Sequence, residues 1–143
     1  MKLLLTLIFF VTVTFASDSS DNLRIQILEK IISDISVNEE TKVWSDNKNI
    51  LNTLKSHNIL NTTDNCEDAT IIILQEYNNL ITQCSSRAIF VLNYKLLSDI
   101  PQSFGALFWK KGRPNIVIIK SRIKAQSIQV SNDLNPYLED KVW

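Results

Sequence analysis

The chain has 143 residues, with 15 basic and 15 acidic side chains and one histidine. This neutral balance lacks the basic field that nucleic-acid binding requires. Only two glycines and three prolines occur, so neither phosphate-loop pattern, GxGxxG or GxxxxGKS/T, is present, and regular structure is expected almost throughout.

Met1 and Lys2 are followed by the apolar stretch Leu3 to Phe15 and the small residue Ala16. These are the three parts of a secretory signal. The stretch falls short of the ~20 apolar residues that a membrane-spanning helix needs. Cleavage after Ala16 is expected, leaving one domain from Ser17 to Trp143 in the periplasm. No cysteine follows the stretch, which argues against a lipid anchor. No later segment is long enough to cross a bilayer, so no membrane insertion is expected after cleavage.

Leu23, Ile27, Ile31 and Ile35, with Leu28 and Ile32 beside them, form one apolar stripe. They predict an amphipathic helix over 21–36, with N-cap candidates from Asp18 to Asp21. Lys42 to Trp44 reads as a short strand. Ser45 and Asp46 then cap a helix with apolar positions Ile50, Leu51 and Leu54, ending near His57 and Asn58. ATIIIL (69–74) and RAIFVL (87–92) are the unbroken apolar runs of strands buried on both faces. Between them, Tyr77, Leu80 and Ile81 have helical spacing; Asn93 to Asp99 reads as one or two helical turns. Phe104 to Trp109 and Asn115 to Lys120 flank the turn Lys110-Lys111-Gly112-Arg113, an antiparallel hairpin on the sheet edge. A short helix over 121–126 and a terminal one over 131–142, interrupted at Pro136, complete the chain.

Helices alternating with buried strands predict a small single-domain α/β sandwich. Its sheet is mostly parallel, with a C-terminal antiparallel hairpin and helices on both faces. Cys66 and Cys84 each stand a few residues before a buried strand. If those strands are parallel neighbours, both sulfurs lie at one end of the sheet. A disulfide closing a loop of about 18 residues then fits an oxidising compartment.

No catalytic constellation is found. His57 is alone near a helix end, where capping the last carbonyls is its ordinary use. Cys66-Glu67-Asp68 lacks the further ligands that a metal site needs. Glu39-Glu40 and Glu139-Asp140 sit in polar stretches. No enzyme activity, metal or cofactor is expected. The densest unusual cluster is Phe108, Trp109, Lys110, Lys111 and Arg113, since aromatic residues and arginine anchor binding surfaces. The competing reading is a hairpin whose aromatics face inward and whose charges blunt an edge strand. A small-molecule cleft would draw on Trp44, Ser45, Asp46, Asn93 and Tyr94, beyond the carboxyl ends of strands; capping explains Asp46 equally well.

These segments together resemble the YfiR-type family of small periplasmic proteins. The likeness runs through the signal, LRIQILEKII, VWSDNKNILNTL, CEDATIIIL, NIVIIK and RIKAQSIQVSNDLNPYL. It implies a non-enzymatic regulator that restrains an inner-membrane diguanylate cyclase, with a disulfide in control. The expected function is therefore binding of a membrane signalling or envelope protein. The alternatives are a small-ligand-binding domain and a structural accessory of an envelope machine.

Overall fold

The computed structural model describes residues 16–143, with side chains from Asp21 onward. The stretch read as a signal lies outside the described residues, apart from Ala16.

Helix α1 spans Ala16–Ser33, so Asp18 to Asp21 lie inside it rather than capping it. Its buried residues are Ile25, Leu28, Glu29, Ile31 and Ile32, whereas Leu23 is 41% exposed and Ile27 is half-buried. The helix therefore turns its core face about a quarter-turn from the expected stripe. It also stops short of residue 36. Ile35–Ser36 leaves as strand β1 and pairs antiparallel with Gln129–Val130. This two-residue ladder buries Ile35 and is locked by the Ser131 N–H donating to the Asp34 carbonyl at 2.9 Å.

Strand β2 is Val43–Ser45. Helix α2, Lys48–His57, is capped one residue later than expected, by Asn47, whose Oδ1 accepts from the Ile50 N–H at 3.1 Å. At its other end Asn58 takes a left-handed conformation, φ 52°, and its N–H reaches the Leu54 and Lys55 carbonyls. That is the role expected of an asparagine there. Strands β3 (Ile71–Leu74) and β4 (Ala88–Val91) are the two apolar runs. The segment between them is not helical. It forms two 3-10 turns, Tyr77–Asn79 and Thr82–Cys84, and leaves Tyr77 and Ile81 exposed. Of Tyr77, Leu80 and Ile81 only Leu80 packs on the core, too little burial to sustain a helix.

Helix α3 is Tyr94–Asp99, followed by the hairpin of β5 (Ser103–Lys110) and β6 (Arg113–Ile119). Then come α4 (Lys120–Ala125) and β7 (Gln129–Val130). The expected terminal helix is replaced by a 3-10 segment, Asn132–Tyr137, and by strand β8, Leu138–Glu139. Pro136 lacks the N–H that an α-helix would use.

Two sheets result: the β1–β7 ladder and a six-stranded sheet in the order β2-β3-β4-β5-β6-β8. In the larger sheet only β5 and β6 are antiparallel. The hairpin is therefore not wholly at the edge, because β8 covers Ile118 and Ile119.

The sheet is covered on both faces, and the alternation along its strands sorts the core. Ile71, Ile73, Phe90, Phe104 and Leu107 pack with α1 and α2. Ile72, Leu74, Ile89, Val91 and Ala106 pack with α3 and the two cysteines. The chain changes face beside β2. After α2 it returns along the outside of β2, where Thr62 bridges Val43, then passes through Cys66 on the opposite face to enter β3. Among the described residues no helix is long and apolar enough to cross a membrane.

Candidate functional site

Cys66 and Cys84 are joined, with Cα atoms 5.9 Å apart. Cys66 opens the 3-10 turn Cys66–Asp68 and Cys84 closes the turn Thr82–Cys84, at the amino ends of β3 and β4. The parallel pairing of those strands brings the two sulfurs to one rim. The disulfide lies in the core cluster on the α3 face, with both cysteines buried.

The opposite rim carries the residues expected to line a cleft. Connections leave β2 and β3 toward opposite faces of the sheet, which is where open α/β sheets place ligands. Here that gap is stapled. Asp46 accepts from the Gln75 N–H at 2.8 Å, the Glu76 N–H at 3.0 Å and the Asn79 side-chain amide at 2.9 Å. The Ser45 hydroxyl oxygen accepts from the Asn47 N–H, and the Asn47 amide donates to Gln75. Trp44 is half-buried against the disulfide-side core. Asn93 caps α3, its Oδ1 accepting from the Lys95 N–H at 2.9 Å. Tyr94 stacks tilted on Phe108 with ring centroids 5.0 Å apart, and its hydroxyl accepts from the Trp143 N–H at 3.0 Å. The five residues thus form two separate knots, with β3 between them, and the polar atoms of Ser45, Asp46 and Asn93 bind the fold itself.

The hairpin residues are brought together along one strand pair and then divided by register. The turn uses Lys111 at φ 52° and Gly112 at φ 73°, the two left-handed positions of a tight two-residue hairpin turn. Pairing sets Phe108 opposite Asn115, Trp109 opposite Pro114, and Lys110 opposite Arg113. Because side chains alternate along a strand, Phe108, Lys110, Asn115 and Arg113 share the disulfide face. Trp109 and Pro114 share the helix face with Leu107 and Ile116. Lys110, Lys111, Arg113 and Asn115 border an open hollow of about 370 Å³. Trp109 is 37% exposed, while Phe108 is half-buried under Tyr94.

The shifted face of α1 completes a second feature that its spacing concealed. Leu23 and Ile27, expected in the core, instead line an apolar groove of about 270 Å³ with Ile116, Leu134 and Tyr137. One side of the groove carries Lys30. Hydrogen bonds to the Asp34 carboxylate, at 3.0 Å, and to Asp133, at 3.1 Å, hold its ammonium above the usual lysine range. Ile116 belongs to both groove and hairpin, and register puts Pro114 and Trp109 on the same face of the strand pair. No local signal marks this rotation, and Glu29 points the wrong way. A carboxylate one turn from Ile25 and Ile32 looks solvent-facing in sequence, yet it is buried.

His57 does not cap α2 through its ring: Nδ1 lies 2.7 Å from Oε1 of Glu29. Among the described residues no group of three or more His, Cys, Asp or Glu side chains is placed to hold a metal ion. No family model matches this sequence, and no curated protein is significantly similar to it.

Proposed function

We propose that the chain is an exported, non-enzymatic module that binds an envelope or membrane signalling protein, using the β5–β6 hairpin as its contact. The observation that carries this reading is the apolar groove of Leu23, Ile27, Ile116 and Tyr137, with the exposed Trp109 and Pro114 further along the same face of the hairpin. Contiguous exposed apolar surface on a small domain marks a contact for another macromolecule. A half-exposed tryptophan flanked by basic residues matches the composition of interface anchors. Lys110, Lys111 and Arg113 at the tip would steer an acidic partner and speed encounter. The disulfide supports residence in an oxidising compartment. Regulation of a membrane cyclase, as in the YfiR-type proteins that the sequence resembles, is one form such binding would take.

The test uses two substitutions on opposite faces of the hairpin, Trp109→Ala and Arg113→Ala. Partner capture from native envelopes should fall with both, while the melting temperature changes little. A large loss of stability in Trp109→Ala would make the tryptophan part of the core and remove the proposed contact.

A further inference from the structure

At the rim that carries the disulfide, a hollow of about 290 Å³ opens between the β1–β2 connection and the amino ends of β3 and β4. Its wall holds two side chains of opposite charge, Glu39 and Arg87. They are not within ion-pair distance of each other, and neither has an ionic partner among the described residues. The Arg87 guanidinium is tethered on one side only, where Nη2 donates to the Glu67 carbonyl at 2.7 Å. Its Nε is buried with no acceptor. The remainder of the wall is partly apolar, from Val37, Ala88 and Ile128, and includes Ser86.

A guanidinium with unused donors calls for a carboxylate or phosphate. A carboxylate on the same wall repels a simple anion and calls for a cation. We propose that this hollow binds a small zwitterion, an α-amino acid with an apolar side chain. Its carboxylate meets Arg87 and Ser86, its ammonium meets Glu39, and its side chain covers Val37, Ala88 and Ile128. One ligand then pairs with both the half-buried Arg87 and the exposed Glu39. A hollow this size is at the small end of ligand sites, which suits an amino acid better than a nucleotide. The site stands at the opposite end of the sheet from Asp46 and needs none of the hairpin residues, so it is independent of the partner-binding surface.

Calorimetric titration of the full disulfide-bonded protein with the twenty L-amino acids tests it, alongside 4-methylpentanoate, which lacks the ammonium, and isoamylamine, which lacks the carboxylate. At least one apolar amino acid should bind saturably, and both truncated analogues should bind about tenfold more weakly, since each forgoes one of the two charge-assisted contacts. Arg87→Gln and Glu39→Gln should each weaken binding about tenfold; Glu39→Gln, at an exposed position, should leave the melting temperature of the unliganded protein unchanged, whereas Arg87→Gln also gives up the hydrogen bond to the Glu67 carbonyl. Trp109→Ala should leave binding unchanged. The proposal is overturned if no amino acid binds at up to about 10 mM, beyond the millimolar range of the weakest specific ligands. It is equally overturned if the truncated analogues bind as well as the parent, or if both Gln variants bind like the original protein. Backbone-amide shifts of Ser86, Ala88 and Ile128 on addition of the best amino acid place the ligand; shifts confined elsewhere also overturn it.

Discussion

Glu29, in the carboxyl-terminal half of α1, meets His57, the last residue of α2, with 2.7 Å between Oε1 and Nδ1. The two helices touch through this pair on the face of the sheet that they share. Glu29 is only 6% exposed, and its second carboxylate oxygen has no hydrogen-bond partner among the described residues. A buried carboxylate is tolerated only when a partner offsets its lost hydration. His57 is that partner.

His57→Ala should therefore destabilise the protein by about 1–3 kcal/mol, the usual penalty for leaving a buried polar group unsatisfied. Replacing both residues with leucine should recover most of the loss, because the uncompensated charge goes with them. Urea titration of the two variants reads this directly. Equal midpoints for His57→Ala and the original protein would show that water satisfies Glu29.

The disulfide joins positions 18 apart in sequence. Cross-linking a loop of that size stabilises by about 3 kcal/mol in the chain-entropy model. Cys84→Ser should lower stability by about that amount, and Cys66→Ser should match it, since either substitution removes the same constraint. Thermal unfolding with and without a reductant checks the pair: the reductant should shift the original protein and leave both serine variants unmoved. A difference between the two serine variants would trace to packing of the buried side chains rather than to the cross-link.

Gly105 sits in β5 opposite Ile118 and beside Phe90 of β4. A Cβ there would come 2.7 Å from the Val117 carbonyl oxygen and 3.0 Å from the Phe90 ring. Phe90 is fully buried and stacked on Phe104, so neither neighbour can retreat without disturbing the centre of the sheet. Gly105→Ala should cost about 1–3 kcal/mol, the range for overpacking a filled core. Gly112→Ala has open space for its Cβ but a φ of 73°, so its cost comes from backbone strain instead. Calorimetric melting of the two variants ranks these costs. Both variants should melt below the original protein, Gly105→Ala the further, because its clash lies in the filled core whereas the strain at Gly112 is confined to an exposed turn.

Residues whose chemistry leaves one choice were legible in the sequence. The runs around Ile71 to Leu74 and Ile89 to Val91 have no polar side to turn toward water, so they are central strands, and the cysteines before them inherit a common rim. Asn58 and Asn93 do what asparagine does at helix ends. Misreadings arose where long-range contacts outweigh local spacing. Leu23 and Ile27 continue the stripe of α1, but the helix is rotated so that Ile25 and Leu28 reach the sheet. Ile35 continues it too, but finds Val130 across a short ladder. Nothing near residue 35 announces a partner near residue 130. Leu138 pairs with Ile118 for the same kind of reason, and a two-residue strand has no periodicity to detect. In the hairpin, the cluster of Phe108 to Arg113 was visible as composition. Its division into a basic and an apolar side follows from pairing register alone, which fixes the face of every residue once one pair is known.

Asp46 bears on whether the β2–β3 rim is a ligand cleft or a structural joint. Its two carboxylate oxygens take the backbone N–H groups of Gln75 and Glu76 and the Asn79 amide, tying the end of β2 to the loop that leaves β3. Asp46→Ala removes all three hydrogen bonds. The Gln75 amide is the partly buried one, so the cost should be about 1–2 kcal/mol, at the low end for orphaned backbone donors. Amide hydrogen exchange gives the sharper reading: Gln75 and Glu76 should exchange faster in the variant, while Ile72 in the adjoining strand keeps its protection. Asp46→Asn, which retains one acceptor oxygen, should fall between. If Asp46→Ala unfolds at the original midpoint with Gln75 still protected, the carboxylate is not needed by the fold, and a ligand at this rim becomes the better account of its position.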